Sequence, residues 1–320
     1  MADMCLVTGG AGFIGSHLVA SLLQSGEQVR VLDDFSTGLR ANLEHLQSSV
    51  EVLEGSLTDA ETVLRAAAGC SVIYHLGALA SVARSVENPL VSHAACATGT
   101  LHVLDAARRA GVRRVVYAAS SSAYGGASGA GGQTEDTPIK ALSPYAAAKL
   151  SGELYCQAFA AVYGLETVRL RFFNIFGPRQ RADSPYSGVI ALFIAAMTVG
   201  KSPTVHGDGL QSRDFTYVAN AVQALRKAAT APPTVSGNVY NVGMGSSFTV
   251  LDLVAGLNRI LGTALVPTHV ASRAGDVRYS MADISRTRRD LGYDPQITFD
   301  DGLVQTLQWY QGVESLGRRN

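Results

Sequence analysis

The residues of this 320-residue chain that could do chemistry gather in two neighbouring stretches, "ASSSAYG" (Ala119 to Gly125) and "SPYAAAK" (Ser143 to Lys149). Tyr145 and Lys149 stand at i and i+4, so on a helix their side chains share one face. A tyrosine with an ordinary pKa of about 10 is a poor base at neutral pH. Lowering that pKa by about three units takes roughly 4 kcal/mol of preferential phenolate stabilisation, toward which a lysine ammonium one turn away contributes. Three serines directly after a valine-rich run place hydroxyls at the end of an apolar strand, where parallel sheets hold their ligands. Pro144 suits a helix start, where its missing N–H costs nothing. A Tyr-x-x-x-Lys spacing arises by chance in many helices, so its weight depends on what faces it.

Another stretch supplies the facing element. "TGGAGFIG" sets Gly9, Gly12 and Gly15 between an apolar run, "CLVTG", and the helical pattern "GFIGSHLVASLLQSG". Glycines at GxxGxxG spacing allow a tight turn and a close backbone approach to a pyrophosphate at the helix N-terminus. Asp33 ends the second strand, "QVRVLDD", where a carboxylate accepts from an adenine ribose. The same charge repels a 2′-phosphate, which favours NAD over NADP. Asp59 in "GSLTDAE" reads equally as an adenine contact or a helix N-cap. A cationic nicotinamide ring would add to the lysine in lowering the tyrosine pKa.

These residues need a scaffold, and the order of apolar runs describes one. Strands are expected at "CLVTG", "QVRVLDD", "VEVLEGSL", "SVIYHLGA", "VVYAASS" and "ETVRLRFFN", with helical patterns between most of them, among them Asn88–Gly111 and Pro144–Tyr163. Regular alternation argues for βαβ units and a Rossmann-type, doubly wound parallel sheet covered on both faces. After Asn174 the alternation loosens into "FGPRQRADSPYSGV", which reads as a binding loop. Short strands ("PTVHG", "NVYNVG", "ALVPTHV") then mix with helices near Val218–Ala231, Val250–Leu261 and Asp300–Tyr310. The expected division is a dinucleotide-binding domain over 1–176, with a returning segment near 213–242, and a smaller mixed α/β substrate domain over 177–320.

Lys+Arg and Asp+Glu both number 26, which gives no electrostatic basis for a nucleic-acid or membrane partner. The start, "MADMCLVTGG", lacks the basic and apolar regions of a secretory signal, and no apolar run reaches about 18 residues. Cys5, Cys70, Cys96 and Cys156 show no CxxC pair and no metal-ligand spacing, so buried thiols in a reducing cytoplasm are expected.

Gly9-x-x-Gly12-x-x-Gly15, Asp33, "SSSAYG" and Tyr145-x-x-x-Lys149 together resemble the extended short-chain dehydrogenase/reductase family, nearest to its nucleotide-sugar 4-epimerases. The blocks "LDDFSTG", "YHLGALASVARSVENP", "LRFFNIFGPRQ", "GDGLQSRDFTYV", "RAGDVRYSMADISR" and "LGYDP" follow in the family's order. The resemblance implies that Tyr145 takes the proton of a sugar 4-hydroxyl while C4 gives its hydride to bound NAD. The 4-keto sugar then turns and receives the hydride on its other face. Ser120 matches the family's catalytic hydroxyl, and Lys149 holds the nicotinamide ribose. Phe13, Ile14, Asp34, Ser36, Gly38, Leu76 and Ala78 fall at cofactor-contact positions. A homodimer through Asn88–Gly111 and Pro144–Tyr163 is likewise implied.

For the substrate, the resemblance points to Ser121 and Ser122, Asn174, Val189, the diphosphate clamps Arg213 and Arg273, and Asp276 on a uridine ribose. Related 4,6-dehydratases carry Asp and Glu at positions 121 and 122; serines cannot serve as that acid and base. Ser280 in "RYSMAD" stands where epimerases restricted to UDP-glucose and UDP-galactose carry tyrosine, so the resemblance implies UDP-GlcNAc and UDP-GalNAc as substrates, with activity on UDP-glucose and UDP-galactose as well. Two departures stand out. Cys96 replaces the asparagine of Asn-x-x-Gly-Thr, and a thiol lacks the two amide functions. Arg181 stands where aspartate is common, and a cation there suits a uronic acid, which keeps a UDP-glucuronate 4-epimerase as an alternative. A non-catalytic NAD-binding protein on this fold is a further one, although such proteins typically lose the Tyr/Lys pair.

Overall fold

A computed structural model describes residues 4–46, 49–126, 132–183, 187–272 and 277–317. The first half runs β1 (Met4–Thr8), α1 (Phe13–Gln24), β2 (Gln28–Asp33), β3 (Val50–Glu54), α2 (Ala60–Ala67), β4 (Cys70–His75), α3 (Val82–Glu87), α4 (Pro89–His93), α5 (Gly99–Arg109), β5 (Arg114–Ser120), α6 (Pro144–Tyr163) and β6 (Glu166–Phe172). The second half adds β7 (Ile175–Phe176), α7 (Val189–Met197), β8 (Thr204–His206), β9 (Ser212–Arg213), β10 (Thr216–Tyr217), α8 (Val218–Thr230), β11 (Val239–Val242), β12 (Phe248–Thr249), α9 (Val250–Leu261), β13 (Thr268–Val270), β14 (Tyr279–Ser280), α10 (Ser285–Leu291) and α11 (Phe299–Gly317).

Seven parallel strands form one sheet in the order β3-β2-β1-β4-β5-β6-β11. The order reverses between β1 and β4, which opens a crevice at their C-terminal ends where ligands bind in such sheets. Its inner strands are mostly apolar because helices cover both faces. On one side Leu18, Val19 and Leu22 of α1 meet Val222 and Leu225 of α8. On the other, Val63 of α2, Val103 and Leu104 of α5 and Phe159 of α6 close a second core. Arg114, fully buried in β5, fastens α8 to the sheet by donating to the carbonyls of Ala228, Ala229 and Ala231 at its C-terminal end.

A third core, with Phe215 stacked on Phe299, binds α7, α9 and α11 together. The small three-stranded sheet β12-β9-β14 lies in this half. All four cysteines are buried. Among the described residues no helix is long and apolar enough to cross a membrane.

The expected continuous helix Asn88–Gly111 is broken. α4 ends at His93, residues Ala94–Thr98 form a π-helical turn closed by Gly99 N–H to the Ala94 carbonyl, and α5 follows. The extra residue lets the helix step over Leu57, whose Cβ a Cβ on Gly99 would approach to 2.8 Å.

Candidate active site

The serine cluster follows from the way β5 ends. Ser120 is extended, caps the short 3₁₀ turn Ser121–Tyr124, and accepts at Oγ from Ser122 N (3.2 Å) and Ser122 Oγ (2.9 Å). The turn is closed by Gly125 at φ +61°, where a Cβ would also strike the Lys140 carbonyl. Tyr124 pins it from below: its hydroxyl donates to Asn241 Oδ1 on β11 (2.6 Å), and its ring lies 4.7 Å under the Arg171 guanidinium. Arg171 is held in turn by a buried ion pair with Glu153 of α6 (2.7 Å).

α6 starts at the Ser143 cap, whose Oγ accepts from Ala146 N (3.1 Å), with Pro144 in the first turn. Tyr145 and Lys149 therefore sit in the first and second turns of a 20-residue helix and share one face. The Ser120 hydroxyl neighbours the Tyr145 hydroxyl and favours its ionised form. Burial pushes the Tyr145 pKa above its ordinary value, neighbouring Cys96 adds to this, and the Ser120 hydrogen bond pulls it back. Burial drives the Lys149 pKa the other way, downward. Its ammonium rests 4.3 Å from the Tyr117 ring centroid, and Tyr117 Oη donates to the Lys149 carbonyl (3.2 Å). Cys96 and Ala78 pack in one small apolar cluster with Tyr145 and Ala148.

The glycine turn lies across the crevice. Gly9 has φ +69°, and a Cβ there would come within 2.8 Å of Gly77. A Cβ on Gly15 would collide with the Gly9 carbonyl oxygen, so these two glycines serve the crossing of loop and helix. Gly12 differs: a Cβ there would meet only Gly9 O, at 3.1 Å. It caps α1 with no side-chain hydrogen bond and no acidic residue in the first turn. The leading N–H groups, including those of Phe13 and Ile14, therefore face the crevice uncompensated, which suits a pyrophosphate. Asp33 is buried and accepts from Ala11 N and Phe35 N (2.9 Å each), so its carboxylate also holds the turn in shape. Burial raises its pKa. Gly38 packs against it, and exposed Asp34 turns back onto Ser36 N (2.9 Å) and Oγ (2.6 Å). Asp59 caps α2 through Glu61 N and Thr62 N, one of the two roles its sequence allows. Leu76 N–H donates to the Thr8 carbonyl (3.2 Å) beside the turn.

On the substrate side, Asn174 follows β6 at φ +35° with its side chain exposed, and Val189 opens α7. Arg213 and Ser280 are register partners on β9 and β14. Arg273 and Asp276 lie outside the described residues. Asp214, beside Arg213, is a site-supporting residue that the motif reading missed. It is fully buried and accepts from the N–H groups of Met244 (2.7 Å), Gly245 (3.0 Å) and Ala282 (3.1 Å). Burial raises its pKa to about 6. In "QSRDF" Arg213 stands out by its charge, whereas nothing local marks the Asp214 carboxylate as a backbone anchor. Arg181 points to an outer contact: it forms a two-pronged pair with Asp183 (2.9 and 2.7 Å) and reaches the Thr37 carbonyl.

Residues 5–243 match the model of the NAD dependent epimerase/dehydratase family. The chain belongs to that family. It is 36% identical to the UDP-glucose 4-epimerase of Mycolicibacterium smegmatis over 309 residues, 96% of this chain and 98% of the relative. Among solved structures, UDP-glucose 4-epimerase of Thermotoga maritima, with UDP-glucose, superposes with a TM-score of 0.92 at 34% identity, covering 97% of this chain and 99% of the other. UDP-N-acetylglucosamine 4-epimerase of Methanobrevibacter ruminantium M1, in complex with UDP-N-acetylmuramic acid, superposes with the same TM-score at 35% identity, covering 98% and 100%. The Rossmann-type sheet and the NAD-fitted glycine turn of this chain are those of an NAD dependent epimerase/dehydratase.

Proposed function

We propose that this protein is a UDP-hexose 4-epimerase that keeps NAD bound through each turnover, acting on UDP-GlcNAc/UDP-GalNAc and also on UDP-glucose/UDP-galactose. The observation that carries this reading is that Ser120 ends β5 beside the α6 residues Tyr145 and Lys149, with only hydroxyls at 121 and 122. When bound, NAD accepts a hydride from sugar C4 and returns it. Everything else falls to side chains.

Tyr145 takes the proton of the 4-hydroxyl and gives it back, and Ser120 bridges Tyr145 and the sugar oxygen. Lys149 holds the nicotinamide ribose and supplies positive charge, which a phenol destabilised by burial requires. Because the proton and the hydride both return, the 4-keto sugar has only to present its other face. Ser121 and Ser122 offer hydrogen bonds but no ionisable group, which disfavours loss of water from C5 and C6. Arg213 serves as a diphosphate clamp, because a guanidinium pairs two oxygens at once. Arg273 and Asp276 are assigned to the diphosphate and the uridine ribose. Ser280 leaves volume for a 2-acetamido group. With Arg181 paired to Asp183 on the outside, the one residue that favoured a uronic acid is engaged elsewhere.

The protein is proposed to be a homodimer. Leu90 (80% exposed) of α4 and Leu154 (59%) and Val162 (72%) of α6 leave apolar side chains in solvent on the helices expected to pair.

The deciding experiment is a chromatographic assay of purified protein with UDP-GlcNAc, UDP-glucose and UDP-glucuronate. Interconversion of UDP-GlcNAc and UDP-GalNAc is expected. No conversion of any of the three, with NAD intact on the protein, refutes the reading.

A further inference from the structure

His75 is a buried titratable group that the reaction leaves unused. It ends β4 with 1% exposure, and both ring nitrogens are engaged: Nδ1 with Thr8 Oγ1 (2.7 Å) and Nε2 with Thr100 Oγ1 (2.9 Å). The direction of each bond follows from the groups at the ends. The Cys96 carbonyl can only accept, so Thr100 spends its one hydroxyl proton there (2.6 Å). Thr100 Oγ1 must then accept from His75, which fixes the proton on Nε2. Nδ1 is left as an acceptor for the Thr8 hydroxyl, and Thr8 Oγ1 accepts in turn from Gly77 N–H (3.2 Å). Every proton in this buried chain is used once.

The two ends of the chain are the two halves of the site. Thr8 directly precedes Gly9 of the cofactor turn, while Cys96 sits in the π-helical turn packed on Tyr145. Midway, the imidazole lies against Tyr117 (ring centroids 5.5 Å), the ring that carries the Lys149 ammonium. Burial and the Lys149 charge keep His75 neutral, with a pKa of about 3.

We propose that His75 is a positioning residue: a neutral, single-tautomer strut that holds the glycine turn in register with the turn behind Tyr145. The proposal rests on the epimerase reading only for its activity readout. It predicts that breaking the chain at the end remote from the cofactor weakens the hold on the cofactor.

The test uses purified holoenzyme with Thr100→Val, Thr100→Ser, Thr8→Val, the double variant Thr8→Val/Thr100→Val, and His75→Phe. Two quantities are measured: steady-state epimerisation of UDP-glucose, and the rate at which bound NAD exchanges with labelled NAD. Thr100→Val keeps the side-chain shape and removes the hydroxyl. It is expected to lower kcat about tenfold at unchanged KM and to speed NAD exchange about tenfold. Thr100→Ser restores both. The double variant is no worse than the more impaired single variant, since a chain broken once is already broken. Parent-like exchange in folded Thr100→Val, failure of Thr100→Ser to rescue, or multiplicative losses in the double variant would each overturn the proposal. Should His75→Phe fail to fold, the threonine variants decide. Should the parent convert no UDP-glucose, the exchange rates still decide, and the failure belongs to the epimerase reading alone.

Discussion

Ser280 lies directly opposite Arg213 across the parallel pair β14–β9, and only 8% of it is exposed. The residue proposed to gate the sugar and the residue proposed to grip the diphosphate thus share one small sheet, held by the Asp214 carboxylate beneath. Ser280→Tyr is expected to abolish UDP-GlcNAc turnover while leaving UDP-glucose turnover within a few-fold. Parallel assays of both sugars check this, and an equal loss on both would falsify the gate.

Tyr145→Phe removes the proposed proton acceptor and keeps the ring packing against Cys96 and Ala148. Its kcat should fall by about 10²–10⁴-fold, the range for a lost general base, with NAD content unchanged. Ser120→Ala should cost less, because it removes a bridge and not the base. Steady-state rates, together with the nicotinamide absorbance of the purified variants, provide the measurement.

Gly12 and Gly15 should separate cofactor binding from folding. Gly15→Ala drives a methyl into the Gly9 carbonyl and should lower thermal stability sharply. Gly12→Ala meets one atom at 3.1 Å, so the fold should survive while the methyl occupies the path of the pyrophosphate. NAD retained after gel filtration, read beside the melting temperature, distinguishes the two; a stable Gly12→Ala protein with full NAD contradicts the assignment.

Two histidines predict acid sensitivity. Burial lowers His17 from 6.5 to about 4, against the opposing pull of its bond to the Pro178 carbonyl and with help from Arg179. Burial and Lys149 lower His75 to about 3. A base with a depressed native pKa binds protons preferentially in the unfolded state. Its stabilising contribution is therefore present above about pH 6.5 and is lost as pH falls toward the native value. At pH 5 the loss amounts to about 2 kcal/mol for each, as an order of magnitude. Urea titrations at pH 7.5 and pH 5 should show the drop, and His17→Gln should reduce it.

Leu90→Asp together with Val162→Asp should convert the proposed dimer to a monomer in sedimentation velocity without loss of secondary structure. A parent protein that already sediments as a monomer would remove the proposal.

Much of the catalytic frame can be read from local patterns. α6 and α9 begin and end where capping residues and apolar period place them, because Ser143–Pro144 and Thr249 mark starts and Gly164 and Gly262 mark ends. Residues 88–111 show the limit. Their period is helical throughout, and a one-residue excess at Ala94–Thr98 becomes visible only when Leu57 presses on Gly99. Strands of two residues such as β9, β12 and β14 carry no period at all. Asp214 and His75 escape for another reason: Met244 lies 30 positions from Asp214 and Thr8 lies 67 from His75, so no short window of sequence contains these bonds.

The last strand of the main sheet bears on how the protein is made. β11 pairs with β6, and Asn241 within it takes the hydroxyl of Tyr124, 117 positions earlier. A nascent chain leaving the ribosome therefore carries an open sheet edge and an unsatisfied tyrosine until synthesis passes Val242, well after the catalytic residues have emerged. Such long-range closure slows folding and leaves the partial chain exposed to aggregation. Splitting the gene after the sixth strand should give two insoluble halves, whereas a cut placed beyond Val242 leaves the sheet whole.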